Sequence, residues 1–81
     1  MENIEDTIKI IHETISDYVE LFHTKEDVET AIAEDMGVMG YPYELTWIQT
    51  NIAQDEKPIY KLTVRIKIDG SFIFMEFYYW N

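Results

Sequence analysis

The chain has no cysteine, which excludes disulfide staples and thiolate metal sites. It has no apolar run approaching the roughly 20 residues of a membrane-spanning helix. Its first residues, Met1 to Asp6, are acidic and lack the basic-then-apolar layout of a secretory signal. The expected location is therefore a reducing cytoplasm. No glycine-rich phosphate loop, calcium loop or zinc spacing is present. Bases are scarce: six Lys and Arg stand against sixteen Asp and Glu, for a net charge of −10. Such a field repels free nucleic acid and attracts basic surfaces.

What the chain does have is core-forming material. Hydrophobic residues make up 47% and aromatics 15%, enough to argue against disorder. The 81 residues make one domain, 1–81, and a chain this short is marginally stable. The charge is lopsided. Met1 to Glu56 carries 14 acids against Lys9 and Lys25, or −12. Lys57 to Asn81 carries four bases against Asp69 and Glu76, or +2.

Ile4 to Phe22 reads as one amphipathic helix. Ile4, Ile8, Ile11, Ile15, Val19 and Phe22 follow the three-and-four spacing of a single face, with Glu2, Asp6, Glu13, Asp17 and Glu20 opposite. Thr24 to Asp27 resembles a capping box and opens a second helix, whose apolar face is Val28, Ala31, Ile32 and Met36. Gly37 is the natural residue to end it, with Gly37 to Pro42 as a loop.

Tyr43 to Thr50 has strand chemistry, with Leu45 and Trp47 on one side and Thr46 and Ile48 on the other. Asn51 to Pro58 reads as a polar connection. Ile59 to Ile68 alternates cleanly, and Asp69-Gly70 is the signature of a two-residue type I′ hairpin turn. Ser71 to Trp80 is then the returning strand. This turn sets the register: Ile66 faces Ile73, Val64 faces Met75, Leu62 faces Phe77 and Tyr60 faces Tyr79. That apolar surface belongs under the helices. The other surface opposes Lys67 to Phe72, Arg65 to Phe74, Thr63 to Glu76, Lys61 to Tyr78 and Ile59 to Trp80. The expected fold is α+β, two N-terminal helices packed on one face of a three-stranded antiparallel sheet.

Chemistry is thin. Glu20 and His23 have the i, i+3 spacing of carboxylate-bridged metal sites, but no second helix supplies a matching histidine, so no metal or cofactor is expected. His12, Ser16 and Asp17 are triad residue types that neighbouring positions on one exposed helix cannot assemble into a relay. An enzyme is not expected. The acidic helices remain. Carboxylates three or four residues apart lie about 5–6 Å apart and can stand in for a phosphate backbone before Arg and Lys. Glu13, Asp17, Glu20, Glu26, Asp27, Glu34 and Asp35 are the expected contacts with a basic protein. The plainer reading is two solvated helix faces. Phe72, Phe74, Tyr78 and Trp80 make a second candidate surface, read either as rings shielded by Lys and Arg stems or as a homodimer interface.

In size, charge, absence of cysteine and helix-plus-hairpin layout with exposed aromatics, the chain resembles the small acidic inhibitors of phages and mobile elements: anti-CRISPR proteins, anti-restriction DNA mimics and uracil-DNA glycosylase inhibitors. No specific motif is shared, so no residue roles carry over. The resemblance implies a stoichiometric inhibitor of a nucleic-acid enzyme. The rival expectations are an immunity protein or antitoxin neutralising a basic toxin, and a structural homodimer.

Overall fold

The computed structural model describes residues 4–54 and 57–80. Helix α1 (Ile4–Leu21) and helix α2 (Lys25–Met39) precede strands β1 (Tyr43–Gln54), β2 (Lys57–Ile68) and β3 (Ser71–Tyr79). The strands form one antiparallel sheet in the order β1-β2-β3. This is the expected α+β layout, with both helices on one face.

The core lies between helices and sheet. Ile11, Ile15 and Val19 descend from α1, and Val28, Ile32 and Met36 from α2. They meet Leu62, Val64, Ile66 and Ile68 of the central strand and Met75, Phe77 and Tyr79 of β3. The periodicities of 3.6 and 2 that make these two faces apolar are the reason the layers close. The register of β2 on β3 follows from the turn: Ile68 pairs with Ser71 and every expected pair through Tyr60–Tyr79 is present. Asp69 and Gly70 both adopt positive φ, 49° and 82°, as a type I′ turn requires. Trp80 lies one residue beyond β3 and takes no part in the ladder.

Two boundaries differ from the sequence reading. Helix α2 does not stop at Gly37. It runs to Met39, and Gly40 takes the left-handed conformation (φ 77°), its N–H and that of Tyr41 both donating to the Met36 carbonyl. Gly37 is an ordinary helical residue with open space around its Cα. At the other end, the Thr24 hydroxyl accepts from the Asp27 N–H at 3.1 Å, as the capping pattern implies.

Strand β1 likewise continues past Thr50. Asn51 to Gln54 belong to the strand rather than to a connection, and Ala53 and Gln54 pair with Pro58 and Lys57; Asp55 and Glu56 lie outside the described residues. The register shifts between Gln49 and Ala53. There the Thr50 hydroxyl donates to the Ile59 carbonyl at 2.8 Å and accepts from the Ile52 N–H at 3.2 Å. A side chain thus supplies hydrogen bonds that the interrupted ladder lacks. Twelve-residue strands reach about 40 Å, whereas α1 reaches about 27 Å, so the molecule is elongated, 47 × 20 × 18 Å.

Candidate functional site

The two-layer architecture separates the charges. Residues 4–39, the helical layer, hold ten carboxylates against Lys9 and Lys25, a net of −8. The outer face of the sheet holds Lys61, Arg65 and Lys67 against Glu44 and Glu76.

On α1, Glu13, Asp17 and Glu20 follow the i, i+4, i+7 spacing that puts them on one line, opposite the buried Ile11, Ile15 and Val19; all three are exposed. On α2, Glu26, Asp27 and Glu34 are exposed. None of these six carboxylates is ion-paired among the described residues, and the pairs Lys61–Glu76 (3.7 Å) and Arg65–Glu44 (2.8 Å) both lie on the sheet. Lys25 does little to neutralise the layer. Its ammonium is held over the Tyr60 ring at 4.1 Å and near the Trp47 ring at 5.9 Å.

Asp35 stands apart from the other six expected contacts. It is half-buried between the helices, where its Oδ2 accepts from the Tyr18 hydroxyl at 2.5 Å. That bond, then burial, then the negative charges of Asp35, Glu34 and Asp17 push the Tyr18 phenol up to about 12. Asp35 therefore fixes one helix against the other. Glu29 has a similar duty toward the sheet: its Oε1 accepts from the Trp47 indole N–H at 2.8 Å. Nothing in the sequence links residues 17 and 18 positions apart in this way. Tyr18 left a faint signal, an aromatic four residues before Phe22, on which it stacks at 5.3 Å.

Phe72, Phe74, Tyr78 and Trp80 are all exposed on the sheet side. The shielding expected of the bases is uneven. Arg65 leans diagonally to Phe72 (5.0 Å), as Lys67 does from directly opposite (5.7 Å). Phe74, directly opposite Arg65, is left uncovered, because the guanidinium turns to Glu44 and Phe72. Where the two surfaces meet, a groove of about 450 Å³ is lined by Ser16, Val19 and Glu20 of α1 and by Phe77, Tyr78 and Trp80. It joins a carboxylate to two exposed rings.

Glu20 and His23 form no metal-binding group with a third His, Cys, Asp or Glu among the described residues. Among the same residues no helix is long and apolar enough to cross a membrane. The chain matches no protein-family model, no curated protein and no solved structure.

Proposed function

We propose that this protein is a stoichiometric inhibitor that occupies the basic nucleic-acid site of a host or defence enzyme, presenting its helical layer as a substitute for a phosphate backbone. The supporting observation is the set of exposed carboxylates of Glu13, Asp17, Glu20, Glu26, Asp27 and Glu34, unpaired among the described residues, on a layer of net −8, carried by helices whose opposite faces are locked into the core. A rigid support matters because carboxylates already held at a fixed pitch lose little conformational freedom on meeting a complementary row of Arg and Lys. The chemistry of the interface is charge-assisted hydrogen bonding with no bond made or broken.

An antitoxin or immunity role would use the same carboxylates against a basic toxin. Coding next to a toxin gene would favour it.

The test is affinity capture from nuclease-treated bacterial lysate at low and high salt. The expected result is a nucleic-acid enzyme whose capture weakens with salt and is lost when Asp17 and Glu20 are both replaced by lysine. Undiminished capture by that folded variant would remove those carboxylates from the interface.

A further inference from the structure

We infer that the outer face of the sheet is the interface of a face-to-face homodimer. An antiparallel sheet with one solvated side ordinarily alternates apolar-in, polar-out. Strand β3 does not: its outward positions and the residue after it read Phe72, Phe74, Glu76, Tyr78, Trp80. At about 200 Å² per aromatic side chain, exposures of 54, 65 and 52% for Phe72, Phe74 and Tyr78 leave roughly 340 Å² of ring surface on this face, with Trp80 at its edge beside α1. Ile48, exposed on β1 opposite Lys61, extends it. Two such faces bury roughly 700 Å² of ring surface between them, and Ile48, Thr46, Thr63, the lysine stems and the edge of Trp80 bring the total to the low end of a specific interface, about 1,200 Å².

Charge selects a second copy as the occupant. The face is close to neutral, three bases against Glu44 and Glu76, with Arg65 and Lys61 already paired to those acids within one chain. It therefore offers little to a polyanion. It is also the side on which two copies of a strongly acidic protein can meet. With sheets about 10 Å apart and a helix about 10 Å thick on each outer side, the two carboxylate layers stand roughly 30 Å apart. That is several Debye lengths of about 8 Å at physiological salt. Contact through the helices would instead press −8 against −8. The dimer does not depend on the inhibitor reading; if both hold, the assembly is bivalent, with an acidic face on each side.

The experiment is sedimentation velocity of the full chain over a wide concentration range, at low and at high salt. The expected species is twice 9.7 kDa, and its fraction rises with salt, because screening weakens the residual repulsion while apolar burial persists. Phe74→Glu, and separately Tyr78→Ser, should raise the dimer dissociation constant about tenfold or more, whereas Asp17→Lys should leave the dimer intact. Phe74 and Tyr78 are exposed, so each variant should fold, and circular dichroism checks that it does. A wild type that is monomeric throughout overturns the inference, as does a dimer indifferent to both sheet variants. Binding of a dT oligonucleotide that weakens with salt and is lost in Phe74→Glu would give the face to single-stranded nucleic acid and overturn it as well.

Discussion

The Tyr18 hydroxyl on α1 and the Asp35 carboxylate on α2 are 2.5 Å apart, one donor and one acceptor joining the helices at the edge of the core. The phenol is held up to about 12, against about 10 in an unfolded chain. A group whose folded value is raised contributes stability that is fully present below the unfolded value and lost as pH climbs through the folded one. Tyr18→Phe should therefore cost about 1 kcal/mol below about pH 10, and the deficit relative to wild type should close between about pH 10 and 12. Urea unfolding of both proteins across that window measures it. No deficit below about pH 10 would mean that Tyr18 contributes only the packing of its ring.

The end of α2 gives a pair of opposite expectations. Gly40 sits at φ 77°, where a Cβ costs about 1–2 kcal/mol, so Gly40→Ala should lower the melting temperature. Gly37 is helical with nothing within 4 Å of a Cβ built on it. Gly37→Ala should raise stability by roughly 0.5–1 kcal/mol. If the signs are exchanged, the helix ends at Gly37 after all.

These two glycines also show what the sequence could and could not reveal. Composition and spacing point to Gly37 as the helix end, with Gly40 in the loop that follows, whereas the structure puts the cap at Gly40. The discriminating signal was Pro42, since proline favours the first or second position after a helix cap. The hairpin was legible from the turn to the Tyr60–Tyr79 pair, though not in the expected Ile59–Trp80 pair, because alternation over Ile59 to Ile68 and the Asp69-Gly70 turn specify one register between them. The tail of β1 was not, because Asn51 to Gln54 lack an alternating pattern and are held by a bulge and the Thr50 hydroxyl. The acidic layer was visible as charge counts on helix faces. That Asp35 and Glu29 are drawn away by Tyr18 and Trp47 depends on how α1, α2 and β1 are placed in space.

The central strand carries the core. Ile66 is fully buried beneath the helices. Ile66→Ala should cost about 2–5 kcal/mol, a large share of the stability of a domain this small. Arg65→Ala, next to it but on the outer face, should cost about 1 kcal/mol or less. Chemical denaturation compares the two, and equal costs would misplace the core.

Function and stability should oppose each other on α1. Glu13, Asp17 and Glu20 are like charges at adjacent helical turns, which destabilises by a few tenths of a kcal/mol per pair. Asp17→Asn should therefore unfold at slightly higher denaturant while capturing less of the target. A variant that is both more stable and equally active would assign Asp17 to a solvated surface alone.

The most direct measurement is a competition: an enzyme captured on the immobilised protein, as the proposal expects, is titrated with duplex nucleic acid of the kind it acts on. Release of the enzyme in proportion to the added duplex, with no species containing all three components, is the predicted result. A stable ternary complex of this protein, the enzyme and nucleic acid would contradict the proposal that the carboxylate layer and a phosphate backbone occupy one site.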